Sequence, residues 1–350
     1  MSSRTSGLAC IAAPLAMALT ACGASAHGTS ATTAGSAGWV GSQLTAAAPH
    51  APAVAVTPCG PAAAEVLART AGSVAQLIYA GEVSGSETLS DKRQIESYRP
   101  LLSALERGER AAVKAAVTTL VFSHTHVVRL RVSRGSQLLA DVGGPYILAP
   151  VSGTLRSHGR PVGHYSFSVQ DDLGYVKLVT RFIGVPLVLR TASGQVPIEG
   201  LLSPGPVSIP NHGPVVYRHS TYEAYSFNAS AYPSGRLRVS LLLEVPPSLS
   251  AKSCSAIKTS ELSLIAQRIS RRFALSPASF SPYIKLVRTL TSGLVYIRSG
   301  SRTLAGSTHP GPLRLPTSGA LRYHGRNYEV SSFTARASVG QVRVYVLVGL

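Results

Sequence analysis

Two clusters of charged side chains in the first half of the chain have the spacing of a ligand site. Asp171 and Asp172 form a doublet after a strand-like segment, in a chain with only 15 acidic residues. A carboxylate there could accept hydrogen bonds from a ligand amine. Adjacent strand residues point to opposite faces, so both can line one pocket only where the strand ends. The alternative is that one of them caps a helix that runs through Phe182.

Arg129 and Arg131 lie two residues apart on a predicted strand, so they share one face of it. An arginine in that position could bind a ligand carboxylate through two parallel hydrogen bonds. The alternative is an ordinary solvated sheet face. Tyr146, which follows Gly143-Gly144-Pro145, could close a pocket or fill the core.

The motifs of catalysis and metal binding are weak or missing. His124 and His126 have the spacing for one strand face, but the sequence shows no third ligand beside them. Ser255 and Lys258 fit the S-x-x-K pattern without companion motifs. Because G-x-S-x-G, P-loop and Rossmann patterns are absent as well, we expect a protein without catalytic activity, metal or cofactor.

The first residues of the chain predict export and lipidation. Residues 1–21 read as a signal peptide, with Arg4 before an apolar run, Leu8 to Leu19, that is too short to span a bilayer. Its end, Leu19-Thr20-Ala21-Cys22, resembles the lipobox of bacterial lipoproteins, which implies a lipid on Cys22. The alternative is an ordinary signal peptide. Residues 22–58, rich in Ala, Ser, Gly and Pro, predict a flexible tether to the extracytoplasmic face of the cell membrane.

Charge restricts the partners of such an exported protein. The chain beyond residue 21 has 32 basic and 15 acidic residues, a net charge of +17. Outside the cell, the anionic neighbours are phospholipid head groups and envelope polymers rather than nucleic acid. The alternative is that the basicity only reflects an arginine-rich genomic composition.

Two cysteines remain after the leader and the lipid site are assigned. Cys59 and Cys254 would meet an oxidising compartment, so we predict a disulfide between them that closes a long loop. Two buried free thiols are the alternative.

An internal repeat organises the rest of the chain. Ser152–Phe167 and Ser318–Phe333 are identical at 9 of 16 positions without a gap, and Gly205–Phe227 matches Gly311–Phe333 at a constant offset of 106. The repeat predicts related units of about 60 residues near 125–182, 186–245 and 293–350.

Each unit contains alternating strands separated by Gly turns, which predicts antiparallel hairpins. Helices are predicted over 61–80, over 91–122 with breaks at Pro100 and Gly108, and around Leu262 to Phe273. The fold class is therefore α+β, with long N-terminal helices before antiparallel sheets. The predicted divisions are a signal peptide (1–21), a tether (22–58), helices plus the first unit (59–184), the second unit (185–247), and a helix plus the third unit (248–350).

The segment from Gly163 to Tyr175, GHYSFSVQDDLGY, resembles the late strand of an extracytoplasmic Cache (PAS-like) sensor domain. In that family the strand runs into an acidic residue that lines the ligand pocket. The resemblance implies binding of a small organic acid or amino acid. The candidate ligand-binding residues are Asp171, Asp172, Arg129, Arg131, Tyr146 and Tyr175. The alternative function is a structural lipoprotein of the cell envelope, whose basic sheet faces bind anionic wall polymers or a partner protein.

Overall fold

The computed structural model describes residues 57–350 except 125, 145–146, 193, 197–207, 233–234 and 309–313. The predicted signal peptide, the lipid site at Cys22, the tether up to residue 56 and the candidate Tyr146 lie outside the described residues. Residues 57–350 cluster as one unit.

Helices occupy the three segments that the sequence predicted, the segment after the acidic doublet where a helix was the alternative, and one further segment. The α-helices of the described part are α1 (Ala63–Ser84), α2 (Ser86–Ser97), α3 (Arg99–Arg107), α4 (Arg110–Thr119), α5 (Asp172–Ile183), α6 (Cys254–Ser270) and α7 (Pro277–Thr291). Pro100 lies in the first turn of α3, and Gly108 ends that helix with a φ of +74°. The sequence analysis missed α7, although a capping box between Ser276 and Ser279 marks its start.

The first sheet is antiparallel, with the strand order β2-β1-β5-β4. Its strands are β1 (Arg129–Arg134), β2 (Gln137–Gly143), β4 (Val151–Ser157) and β5 (Arg160–Ser168). One face packs on α2, α3 and α4 around a core that includes Leu130, Val132, Tyr165 and Phe167. The other face is free of this core, and it carries the candidate site described below.

The second sheet has the order β6-β3-β10-β11-β7-β8, with β9 paired to β10. Its strands are β3 (Ile147–Leu148), β6 (Gln170–Asp171), β7 (Leu187–Thr191), β8 (Gly194–Gln195), β9 (His212–Tyr217), β10 (Ser220–Tyr232) and β11 (Gly235–Glu244).

The third sheet has the order β13-β12-β16-β15-β14. Its strands are β12 (Leu294–Ser299), β13 (Arg302–Gly306), β14 (Ser318–Tyr323), β15 (Arg326–Ala337) and β16 (Gly340–Gly349). This order equals that of β8-β7-β11-β10-β9 in the second sheet, as the repeat predicts. The first sheet differs from the third at one position. In the third sheet β16 lies between β12 and β15, whereas in the first sheet β5 pairs directly with β1 and the chain continues into α5.

The second and third sheets share one core with four helices. Side chains of α1, α5, α6 and α7 pack with the inner faces of both sheets in a single cluster of buried apolar residues. A disulfide joins Cys59, just before α1, to Cys254 at the start of α6, across 195 residues of sequence. A closed loop of that length stabilises the fold by roughly 5 kcal/mol in the chain-entropy model.

The hairpins before β5, β10 and β15 turn through two residues with positive φ, the geometry of a type I′ turn. The turn residues are His158-Gly159, Arg218-His219 and His324-Gly325. The repeated histidines therefore belong to turns.

None of the described helices has both the length and the apolar character needed to span a membrane.

Candidate ligand-binding site on the first sheet

The outer face of the first sheet is polar because alternate residues of β1 and β5 point away from the helices. Leu130 and Val132 enter the core, so Arg129, Arg131 and Ser133 lie on the outer face. Ser166 is the cross-strand neighbour of Arg131, and His164 and Ser168 continue the same row of β5.

An ion pair occupies one end of this face. Nε and Nη2 of Arg129 donate to the two carboxylate oxygens of Asp141 at 2.7 and 2.9 Å, and Nη1 donates to the carbonyl of Gly144 at 2.6 Å. Nε of Arg131 lies 3.2 Å from Oδ2 of the same carboxylate. Asp141 therefore holds both predicted arginines, and Arg129 is committed to it through two parallel hydrogen bonds.

Tyr232, from the end of β10, completes this group. The carbons that centre the Arg129 and Arg131 guanidinium groups each lie 4.2 Å from the centroid of its ring. The Tyr232 hydroxyl donates to Oδ2 of Asp141 at 3.0 Å. We call these four residues the arginine–aspartate cluster, which joins the first sheet to the second by cation–π and hydrogen-bond contacts.

The arginine–aspartate cluster has a net charge of +1, because two guanidinium groups face one carboxylate. Burial raises the pKa of Asp141, but hydrogen bonds from Arg129 and Tyr232 and the charges of both arginines outweigh burial, so the pKa lies below its usual range. The carboxylate is therefore ionised at neutral pH, and two guanidinium groups share it. The excess positive charge lies at Arg131. Its Nη1 and Nη2 donate to no described residue, and its side chain is 33% exposed.

A cavity of about 550 Å³ lies directly beside Arg131, on the outer face of the first sheet. Its lining residues are Arg131, Ser133, Gly135, Ser136, Leu138, Ser152, Gly153, Thr154, His164, Tyr165 and Ser166. Thr154 Oγ1 and His164 Nδ1 lie 3.4 Å apart on its wall. The volume is that of a small-molecule site, and hydroxyl groups, one imidazole and one guanidinium supply its polar contacts.

The acidic doublet lies elsewhere, at the start of α5. Asp171 caps that helix, since its Oδ1 accepts a hydrogen bond from the amide of Gly174 at 2.5 Å. Asp172 stands in the first turn and accepts from the amide of Leu173 at 2.9 Å. Burial, and then the charge of Asp171, raise the pKa of Asp172. The structure thus favours the helix-cap interpretation, and neither carboxylate lines the cavity beside Arg131.

Two other predictions from the sequence need correction. Tyr175 is fully buried in the central core, and its hydroxyl donates to the carbonyl of Ala75 at 3.0 Å, so it packs α5 on α1 and cannot touch a ligand. His124 and His126 do not share a strand face, because a π-helical turn covers Leu120–His124 and β1 begins only at Arg129. Among the described residues, no group of three potential metal ligands is found.

Sequence reasoning missed Asp141 because of a β-bulge. Counting back from the turn pairs Arg134 with Gln137, and an unbroken register would place Ala140 opposite Arg131. The register shifts by one residue between Val132 and Ser133, which brings Asp141 to that position instead. The sequence did offer one indication of Asp141, since it is a single acidic residue close to two strand arginines. It offered no indication of Tyr232, whose approach depends on pairing between β10 and β3.

Comparisons with known proteins add a weak structural similarity. Neither a family model nor a curated protein matches this chain. The periplasmic domain of Vibrio cholerae LuxQ aligns with a TM-score of 0.30 and 10% identity, over 52% of this chain and 97% of that one. The ligand-binding domain of the Pseudomonas fluorescens chemoreceptor CtaA, in complex with L-alanine, aligns with a TM-score of 0.29 and 11% identity, over 51% and 96%. The ligand-binding domain of Mlp24 with asparagine covers 82% of this chain and 95% of its own, at a TM-score of 0.17 and 10% identity. Because the TM-scores are below 0.5, the assignments that follow rest on the residues themselves.

Proposed function

We propose that this protein binds a small molecule with an anionic group, such as an organic acid or an amino acid, on the outer face of its first sheet. The observation that carries the proposal is the cavity of about 550 Å³ beside Arg131, at the end of a cluster with one unneutralised positive charge. Binding, without catalysis, is the proposed activity.

The contacts available in the cavity define the ligand's chemistry. The Nη1 and Nη2 groups of Arg131 form a fork that matches a carboxylate. Hydroxyl groups of Ser133, Thr154 and Ser166 can accept from an amine or donate to further oxygens. The other predicted ligand residues, Asp171 and Tyr175, have structural roles and are not part of the proposal.

We further propose that the protein works outside the cytoplasmic membrane, held there by a lipid on Cys22. The lipobox resemblance of Leu19 to Cys22 and the disulfide of Cys59 and Cys254 support this location, because structural disulfides persist in oxidising compartments. Mass spectrometry of the protein from its native membrane tests the lipid. A diacylated Cys22 is expected, and a mature chain that begins at another residue would refute the anchor.

A thermal-shift screen of amino acids and dicarboxylates tests ligand binding. A ligand at 100 times its dissociation constant should stabilise the fold by about 2.7 kcal/mol. Arg131→Lys, which keeps the charge but loses the fork, should weaken binding at least tenfold, as should filling the cavity with Ser166→Leu.

Arg156→Gln is the matched control for this screen, because Arg156 is an exposed arginine of β4 in the same sheet and does not line the cavity. It should leave the affinity unchanged. If no compound shifts the melting temperature, or if Arg156→Gln weakens binding as much as Arg131→Lys does, the site assignment fails.

A further inference from the structure

The second and third sheets each pack a piece of their own chain on their outer face. Ile209, three residues before β9, is buried with Val188, Ala224 and Leu242, which come from three different strands. The strand neighbours of Val188 and Leu242 enter the central core, so this cluster lies on the opposite face. Leu315, three residues before β14, packs in the same way on the outer face of the third sheet. We call these two pieces, residues 208–211 and 314–317, the covering segments.

Two side chains of the second sheet hold the backbone of its covering segment. Nη2 of Arg238 donates to the carbonyl of Ile209 at 2.9 Å. The hydroxyl of Ser226 donates to the next carbonyl along the chain, that of Pro210, also at 2.9 Å. An arginine and a serine on neighbouring strands therefore bind two successive peptide carbonyls.

The serine of this contact is repeated in all three units. Ser332, which aligns with Ser226 at the offset of 106, donates to the carbonyl of Thr317 at 2.9 Å. Ser166 aligns with Ser332 in the repeat and is the direct cross-strand neighbour of Arg131. The first sheet thus also has a serine and an arginine side by side on its outer face.

The chain of the first unit takes a different path before its third hairpin strand. Ile147 and Leu148 form β3, which pairs with β10 of the second sheet instead of crossing the first sheet. Arg131 and Ser166 line the cavity of about 550 Å³ on the outer face. The cavity therefore lies where the other two units place a covering segment.

One residue of the first sheet differs in the way that this change of path requires. His164 aligns with Ala224 and Val330, which are 1% and 2% exposed in the clusters around the covering segments. His164 is exposed and lines the cavity. A polar side chain at this position fits a face that meets solvent and a ligand rather than its own chain.

We propose that the ligand of the first sheet is a short peptide, whose backbone takes the place that a covering segment has on the other two sheets. This inference rests on the proposed function, because the same cavity and the same arginine are used. The terminal carboxylate of the peptide binds the fork of Arg131, and the carbonyl before it accepts from the hydroxyl of Ser166.

The dimensions of the cavity fit a peptide better than a free amino acid. Its lining residues come from all four strands, and four strands about 4.8 Å apart extend over about 14 Å. An extended peptide of roughly four residues has that length. The hydroxyls of Ser133 and Thr154 can accept from peptide N–H groups, and Leu138, which is 38% exposed, offers an apolar contact to a ligand side chain.

Isothermal titration calorimetry with the intact protein tests the peptide assignment. The probes are L-alanine and a set of tripeptides Ala-X-Ala, in which X is each of the natural amino acids. The tightest tripeptide should bind at least tenfold more tightly than L-alanine. Ser166→Ala removes one hydrogen bond and should weaken that tripeptide about fivefold.

Ser332→Ala is the matched control, because it removes the equivalent hydroxyl from the third sheet, outside the cavity. It should leave the affinity for the tripeptide unchanged. Equal losses in Ser166→Ala and Ser332→Ala would overturn the inference, as would tripeptides that bind no more tightly than L-alanine.

Two comparisons separate this inference from the proposed function. Amidation of the tripeptide's carboxyl terminus should weaken binding at least tenfold, because Arg131 loses its charged partner, and an unchanged affinity would overturn the inference. If L-alanine or a dicarboxylate binds and no tripeptide binds more tightly, the peptide assignment fails and the proposed function stands. If neither class of compound binds, both fail.

Discussion

The first and third sheets contain similar hairpin sequences, identical at 9 of 16 positions, and use their arginines in opposite ways. In the first sheet, Arg129 and Arg131 share the carboxylate of Asp141, and the ring of Tyr232 stacks on both. In the third sheet, Arg336 and Arg343 stand on a face without a carboxylate from its own unit. The comparison shows that strand position alone does not decide an arginine's role. The counter-charge that the fold brings to it decides whether it joins elements or stays available to an external anion.

The first way to test this contrast is to remove the counter-charge from the first sheet. Asp141→Asn should reduce the free energy of unfolding by about 2–4 kcal/mol, because two half-buried guanidinium groups would lose their shared partner. Urea unfolding followed by circular dichroism measures it. A change below about 0.5 kcal/mol would mean that the arginine–aspartate cluster is not structural.

Acidification provides an independent measure of the same carboxylate. Its pKa is lowered in the folded state, so its contribution is complete above the ordinary aspartate pKa of about 4 and is lost as pH falls through the lower folded pKa. The stability gap between wild type and Asp141→Asn should therefore narrow as the pH is lowered from 7 to 3. A gap that stays constant with pH would contradict this account.

Removing Tyr232 should have the next largest effect. Tyr232→Leu loses the hydrogen bond to Asp141 and both cation–π contacts, and should cost about 2 kcal/mol. Tyr232→Phe keeps the ring and should cost about 1 kcal/mol. If chemical denaturation gave the same loss of unfolding free energy for Tyr232→Leu and Tyr232→Phe, the stacking of the ring on the two arginines would contribute nothing.

The type I′ turns permit a smaller test of how far the repeated hairpins are equivalent. His219 has a φ of +67°, in the position that Gly325 occupies in the third unit and Gly159 in the first. His219→Gly should stabilise the fold by about 0.5–1 kcal/mol because glycine relieves the left-handed backbone. Gly325→His should destabilise it by a similar amount. If thermal melts showed that His219→Gly destabilises the fold, or that Gly325→His stabilises it, the two turns would not be equivalent.

The smallest expected effect belongs to the third sheet. Arg343→Gln should change the free energy of unfolding by less than about 0.5 kcal/mol, or stabilise slightly, because the like charge of Arg298 stands opposite. Guanidinium denaturation is unsuitable because its salt screens the effect, so urea at low ionic strength is used. A loss above 1 kcal/mol would mean that Arg343 has a structural partner, and the contrast between the sheets would disappear.

The amino-acid sequence determined the repeat, the hairpin strands, most of the helices and the pairing of Cys59 with Cys254. These features depend on local periodicity, on turn residues with allowed backbone angles and on counting cysteines. Asp171 could be read two ways, because a carboxylate that ends a strand also fits the start of a helix.

Tertiary structure alone decided which side chains meet. One extra residue in β2 moved Asp141 opposite Arg131, and pairing of β10 with β3 brought Tyr232 over both arginines. A bulge changes register without a clear sequence signal, and contacts between distant strands depend on the packing of the whole core. For the same reason, the sequence showed that the chain is basic, but only the fold showed which sheet face neutralises its arginines and which presents them to solvent.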